Sequence, residues 1–560
     1  MSDSRIDVAI VGAGFSGLYM LHKLRKMGLK ATIFEAGDGV GGTWYWNRYP
    51  GARCDIESME YSYSWSEELE QDWEWSERYS PQPEILDYAN HVADRFELRD
   101  DIRFSTRVTA AHFDEEANLW HVTIDSGETV QARHVVMATG CLSSPNKPEF
   151  EGEADFEGET YLTGLWPHEG VDFSGKRVGV IGTGSSAIQS IPIIAREADA
   201  LTVFQRTPNY AIPAHNHPLD PDYAATIKSE YPAIREEARD QAAGFVGSST
   251  EHDDLAIELP KEDVRAELEK RWARGGLTFM ASYPDMGISL KTNDIAAEFI
   301  RDKIRERVDD PETAELLCPR DYPAGAKRMC VDIDYYETFN KDHVSLVDIN
   351  ATPIERITAK GVQTSDQEYE FDAIVFATGF DAMTGTLAKI DIRGRGGAKL
   401  SEKWAAGPLT YLGLMSTDYP NLFLVTGPQS PSVISNMMVS IEQHVDWIAD
   451  CIGAVGDGVI EPIQQAETEW VEHTNMIASM TVYPYAKSWY LGDNIPGKPR
   501  IFMAYLGGVP EYRKICDAVI EQGYAGFALN GVPSNAKVDP MEFMEVDERL
   551  LPLIAEREAA

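Results

Sequence analysis

A glycine-rich turn between a buried strand and a helix occurs twice in this chain, and each time a second buried strand follows. Ile6 to Val11 is a compact apolar run that leads into Gly12-Ala13-Gly14-Phe15-Ser16-Gly17. From Ser16 to Met27, Leu18, Leu21 and Leu24 recur at helical spacing, and Ala31 to Phe34 reads as the next strand, ending at Glu35. The second copy runs through the strand Arg177 to Ile181, the turn Gly182 to Gly184, the helix Ser186 to Ala195 and the strand Ala200 to Phe204. Each copy is a βαβ unit of the size that holds a dinucleotide. The expected fold class is therefore α/β, with two Rossmann-like dinucleotide-binding domains.

The residues after each turn distinguish the two units. In the first, Gly12, Gly14 and Gly17 permit a tight turn, close approach of backbone to a pyrophosphate and close helix packing. The helix N-terminus favours the anion, and Glu35 is placed to accept ribose hydroxyls. In the second, Gly182, Gly184, Ser185, Ser186 and Ala187 carry the same pattern, with Ala in place of the third glycine. Where an acidic residue would select NAD, the chain has Gln205-Arg206-Thr207. An arginine there pairs with the 2′-phosphate of NADP, so NADPH is expected over NADH, although a solvated surface arginine is the plainer alternative. Two such units of different chemistry imply electron transfer from a nicotinamide to FAD.

Between Pro213 and Tyr322 the composition shifts to charged helical segments. Val264, Leu268 and Trp272 fall on one helix face, Ile300, Ile304 and Val308 on another, and Asp294 is placed as an N-cap for the latter. We read this as a helical insertion in the second domain. The expected organisation is FAD domain 1–144 and 380–545, NADP domain 145–213 and 325–379, insertion 214–324 and a C-terminal tail 546–560.

The charge balance of 50 basic against 91 acidic residues, net −41, gives an overall field that repels nucleic acid and anionic lipid; a well-solvated acidic surface is the simplest reading of it. Glu67, Glu68, Glu70 and Asp72 are read in the same way. Six scattered cysteines show neither a CxxC pair nor metal-ligand spacing, so no metal site is expected. No secretory segment and no apolar stretch of about 20 residues is apparent, and a cytoplasmic protein is expected.

The run Gly41-Gly42-Thr43-Trp44-Tyr45-Trp46-Asn47-Arg48-Tyr49-Pro50-Gly51-Ala52-Arg53-Cys54-Asp55 resembles the glycine-tryptophan signature of the Baeyer-Villiger monooxygenases and matches it at every fixed position. Ala138-Thr139-Gly140 and Ala377-Thr378-Gly379 resemble the linkers between that family's two domains. Lys327-Arg328, ahead of Ile333 to Glu337, resembles the region of its active-site arginine, and Gly427 to Met438 is most similar to the phenylacetone and steroid monooxygenase branch. One departure stands out. The family's second fingerprint is similar to Phe156 through Pro167, but its histidine is replaced here by Leu162, which can neither hydrogen-bond nor carry charge. His168 lies nearby but at a different place in the pattern.

The resemblance implies that NADPH reduces FAD and that O2 is captured as a flavin peroxide. A ketone then receives one oxygen to give an ester or lactone, with sulfide oxidation as a side activity. It implies that Arg328 supplies fixed positive charge and that Asp55 orients it. Gly42, Thr43, Trp44 and Asp55 would lie at the flavin, and Lys327 with Arg206 and Thr207 at the 2′-phosphate. Trp489 would cover cofactor and substrate, and Ser430, Ser432, Val433 and Met437 would line the substrate pocket. Lys327 reads equally as a surface lysine, Trp489 as a packed side chain and Asp55 as a turn carboxylate. Cys54 has no second cysteine before Cys141, unlike a disulfide reductase. Three other functions stay open: an NADPH oxidase uncoupled by Leu162, an N-hydroxylating flavoenzyme, and a flavoprotein sensor without catalysis.

Overall fold

The structure, a computed structural model, describes residues 5–545 and 547–558; residues 546, 559 and 560 of the expected tail lie outside the described residues. Strand β1 (Arg5–Val11) runs into helix α1 (Phe15–Lys26), followed by β2 (Ala31–Phe34). Apolar side chains bury both faces of β1, and Lys23, Arg25 and Lys26 in the last turn of α1 complement its dipole. β1 lies parallel between β2 and β3 (Thr129–Met137), and β3 also pairs with the late segment Leu422–Leu424. The chain thus returns to its first sheet after the strands of the second, first at Asp391–Arg393 and then at Leu422–Leu424. An antiparallel pair, Val108–Asp114 with Leu119–Ile124, extends this sheet. The glycine pattern gave no sign of that pair.

The second sheet is wholly parallel. Its order is β7 (Val344–Asp348), β6 (Ala200–Gln205), β5 (Arg177–Ile181), β8 (Ala373–Phe376) and β4 (Glu159–Leu162). Helix α2 (Ser185–Glu197) follows β5, as the second glycine turn requires. Mixed α/β architecture with two dinucleotide-type sheets is what the sequence led us to expect.

The segment between the strands is helical, with Pro221–Arg239, Lys261–Arg274 and Leu290–Arg307 as its long helices. A short parallel pair, Ala211–Pro213 with Cys330–Asp332, holds its two ends together. Val264, Leu268, Ile300, Ile304 and Val308 are buried as expected, but Asp294 is not the N-cap. That position belongs to Ser289, whose hydroxyl accepts the amide of Thr292 at 3.2 Å, while Asp294 lies inside the helix and pairs with Arg301. The acidic cluster is also less solvated than expected: Glu70 forms a nearly buried ion pair with Arg235 of the insertion at 2.9 Å. No described helix is long and apolar enough to cross a membrane.

Candidate functional site

At the first fingerprint, backbone lies against backbone. A Cβ on Gly12 would fall 2.6 Å from the carbonyl of Ala138, and one on Gly17 would fall 1.9 Å from the carbonyl of Gly12. Gly12 also has φ +105°, where side chains are strained. The signature loop closes over this turn, since a Cβ on Gly42 would meet the Cα of Gly14 at 2.8 Å. Glu35 is buried beneath, one carboxylate oxygen accepting the amide of Ala13 and the other that of Gly37, each at 2.7 Å. A carboxylate has about four acceptor positions, so ribose hydroxyls still fit. Thr43 and Trp44 form a short helix after Gly42, and the Trp44 indole donates to the hydroxyl of Tyr61 at 3.2 Å. This cradle of crowded glycines and inward amides fits a dinucleotide.

The second fingerprint repeats the device. A Cβ on Gly182 would fall 2.4 Å from the carbonyl of Ala377, whereas one on Gly184 meets no atom within 4 Å, so that stretch of backbone is left open for a ligand. Each Ala-Thr-Gly linker therefore begins beneath the first glycine of one fingerprint. Ser185 and Ser186 open α2; Ser185 contacts the Cys330 thiol at 3.2 Å. Thr183 donates to the carbonyl of Thr207 at 2.7 Å, which ties the glycine turn to the loop carrying Arg206. Arg206 is exposed, and Lys327 lies close enough to feel its charge. Burial, and then Arg206, pulls the Lys327 ammonium down to about 8, with its Nζ seated 4.3 Å over the Tyr322 ring. Two cations held near each other at a nucleotide fold fit a phosphate monoester.

The two units meet at the signature loop. A Cβ on Gly51 would fall 2.2 Å from the carbonyl of Gln189 in α2, and the Tyr49 hydroxyl donates to the Gln189 side chain at 2.8 Å. Sequence reading missed Tyr49 and Gln189 as site residues, because nothing local marks a contact across 140 positions.

Asp55 and Arg328 form a largely buried pair. Nε and Nη2 of the guanidinium donate to one Asp55 oxygen at 3.3 and 3.2 Å, and Nη1 donates to the carbonyl of Val433 at 3.2 Å. Burial alone would lower the Arg328 pKa, but the Asp55 carboxylate outweighs it and holds the arginine above its usual value. Burial likewise pushes the Asp55 carboxyl up, against the pull of Arg328. We assign the pair as ionised, because the guanidinium keeps its proton and satisfies the carboxylate directly. Burial pushes the neighbouring Cys54 and Cys330 thiols up to about 12, which removes them as nucleophiles at neutral pH.

Of the expected pocket residues, Ser430 and Ser432 are fully buried, with their hydroxyls turned into their own loop. Ser430 donates to the carbonyl of Gly427 at 2.7 Å, and Ser432 to that of Thr426 at 3.3 Å. They shape the loop. Val433 belongs to an apolar cluster with Cys141, Met383, Tyr490 and Phe502, against which Met437 and Trp489 pack. Because Val433 also contacts Arg328, this cluster adjoins the charged pair.

Leu162 ends β4 opposite Phe376, the residue before the second linker, and is buried among Ile181, Phe204, Ile374 and Phe376. An imidazole there would lose its water among these apolar side chains. Leu162→His is therefore expected to destabilise the fold by about 1–3 kcal/mol without raising catalytic coupling. Denaturant unfolding and peroxide yield check both parts; a stabilised variant that releases less peroxide would contradict this. His168 lies edge-on to Tyr45, with ring centroids 5.0 Å apart.

Residues 9–243 match the family model described as pyridine nucleotide-disulphide oxidoreductase. A Baeyer-Villiger monooxygenase of Pseudooceanicola batsensis is 45% identical over 92% of this chain and 95% of its own length. A phenazine N-monooxygenase of Lysobacter antibioticus is 41% identical over 95% of this chain and 98% of its own. Among solved structures, an oxidized steroid monooxygenase bound to NADP superposes with a TM-score of 0.89 at 52% identity, covering 94% of this chain and 99% of that one. Its identity agrees with the branch that Gly427 to Met438 resembles. With both nucleotide cradles and the full glycine-tryptophan signature, the chain belongs to the Baeyer-Villiger monooxygenases, flavoproteins that use FAD and NADPH.

Proposed function

We propose that this enzyme uses NADPH and O2 to insert one oxygen atom beside the carbonyl of a small-molecule ketone, giving an ester or lactone, with sulfoxidation as a side activity. The observation that carries this reading is the Asp55–Arg328 pair, buried between the two nucleotide units and bordered by the apolar cluster of Val433, against which Met437 packs. Bound FAD supplies the oxygen-activating chemistry and NADPH the reducing equivalents. The first fingerprint with Gly42, Thr43 and Trp44 would hold FAD, and Gly182 to Ser186 with Arg206, Thr207 and Lys327 would hold NADPH. Asp55 fixes Arg328, and Arg328 keeps a positive charge where negative charge develops on oxygen. The apolar cluster excludes water from that point, and Trp489 covers it.

The relatives include a nitrogen oxidiser by name, so the choice of substrate rests on the pocket. Attack on a ketone needs a deprotonated, nucleophilic oxygen, which a fixed guanidinium favours. Oxidation of nitrogen or of sulfur needs a protonated, electrophilic one, which the guanidinium disfavours, so sulfoxidation stays a side activity. An electron-transfer sensor has no use for either. Supplying 18O2 with aryl, steroid-like and medium-ring ketones, and separately with a heteroaromatic amine, tests this. One 18O atom in an ester is expected; N-oxide without any ester would overturn the proposal.

A further inference from the structure

The two linkers are bonded to each other as well as to the domains they join. The Thr378 hydroxyl donates to the carbonyl of Asn146 at 2.5 Å, and the amide of Asn146 donates to the carbonyl of Gly379 at 2.9 Å. The amides of Asp381 and Met383 donate to the carbonyls of Ser144 and Cys141 at 2.8 and 2.9 Å. Residues 141–146 and 378–383 therefore make one double-stranded junction between the nucleotide units.

The loop that carries Trp489 is fastened to this junction. Asn494 Nδ2 donates to the carbonyl of Phe380 at 2.7 Å, and Lys498 Nζ donates to the Asp381 carboxylate at 2.7 Å and to the carbonyl of Ala382 at 2.8 Å. The Lys498 side chain is 11% exposed and that of Asp381 27%, so this is not a freely solvated pair whose loss would go unnoticed. Removing one partner leaves the other charge poorly solvated and unpaired. The loop folds back on the lysine stem: Gly492 has φ +79°, and a Cβ there would meet the carbonyl of Pro499 at 2.9 Å and the Cγ of Lys498 at 3.2 Å. The apolar side of the same loop enters the cluster beside the Asp55–Arg328 pair. Tyr490 and Leu491 come to that cluster from the loop, Cys141, Ala382 and Met383 from the junction, and Val433 from the segment that touches Arg328.

We propose that Lys498 is a positioning residue: its ion pair with Asp381 holds the Trp489 loop to the second linker, so that the cover beside Arg328 is kept only while the junction between the two nucleotide units has this arrangement. Lys498 acts through the loop and touches neither substrate nor reacting atoms. Its effect is on how long water is excluded from the point that Arg328 faces. The consequence for ester yield rests on the ketone-oxidising reading above.

The test is hydrogen exchange of the FAD-loaded enzyme with NADP+ added and no ketone, read by mass spectrometry over residues 488–503. Lys498→Met keeps an unbranched stem and removes the charge. The amides of Ile501 and Met503, which donate to the carbonyls of Leu491 and Tyr490, should then exchange roughly tenfold faster than in the wild type. Those of Asp381 and Met383 should follow, while β1 and β5 keep their protection. Asp381→Asn, nearly isosteric, should give the same result, and the double variant should lose no more than either single one, because both remove one interaction. Lys498→Arg should keep most of the protection. In turnover with a ketone, Lys498→Met should release roughly threefold more hydrogen peroxide per NADPH, with anaerobic flavin reduction at saturating NADPH unchanged. Unaltered exchange over residues 488–503 in Lys498→Met, or losses that add in the double variant, overturns the proposal. If Lys498→Met loses flavin, Asp381→Asn alone is read against the same two results. Exchange needs no ester, so a wild-type enzyme that makes none from any ketone defeats the functional reading instead, and the two failures are distinguishable.

Discussion

Arg328→Ala is expected to lower ester formation by roughly 100- to 1,000-fold, the loss seen when a group aimed at developing negative charge is removed. NADPH should still reduce the flavin, because the residues proposed to hold it, Gly182 to Ser186, Arg206 and Lys327, are untouched. Consumed NADPH should then appear as hydrogen peroxide. Arg328→Lys restores a charge but not the planar fork that spans Asp55 and Val433, so it should recover only a small part of the ester yield. Single-turnover reduction and ester yield, measured on the same preparations, separate the two steps. Equal loss of both would place Arg328 in nucleotide binding rather than at the oxygen.

The second large effect concerns NADPH selection. Removing Arg206 should raise KM for NADPH by roughly 10- to 100-fold, the worth of a charged hydrogen bond to a phosphate, and leave KM for NADH almost unchanged. Lys327 adds a pH dependence whose sign follows from its lowered value. With the free-enzyme ammonium at about 8, it is protonated and can pair with the 2′-phosphate below that pH. Above it the free enzyme loses the proton that binding needs. KM for NADPH should therefore be flat below pH 8 and rise above it by up to about tenfold per pH unit, while NADH shows no such limb. Lys327→Ala should abolish the limb. Arg206→Ala should move it to higher pH, because Arg206 is one of the two influences that lower the lysine.

What could be read from the chain follows how far apart the informative residues lie. Turn, helix and strand at Gly12 and Gly182 are local patterns, and the strands Ala31–Phe34, Arg177–Ile181 and Ala373–Phe376 fall where the apolar runs placed them. The pairing of Asp55 with Arg328 bridges 273 positions, and only the family resemblance brought those residues together in advance. Glu70 misled for a related reason. In sequence it is one of four neighbouring acids, and only the approach of Arg235 from the insertion shows that it is paired and buried. Resemblance alone places Ser430 and Ser432 at the pocket, and in the structure both hydroxyls turn into their own loop. Thr426, Gln429 and Ser432 all adopt positive φ, a conformation no composition argument predicts.

Charge at Arg328 directs oxygen onto a carbonyl, on the proposed function, although the fingerprint histidine is Leu162. The most direct measurement is the stoichiometry of NADPH oxidised, ester or lactone formed and hydrogen peroxide released by the purified flavoprotein at a saturating ketone. Ester close to one per NADPH, with little peroxide, is the predicted result. Peroxide close to one per NADPH with every ketone supplied, and no ester, would contradict it.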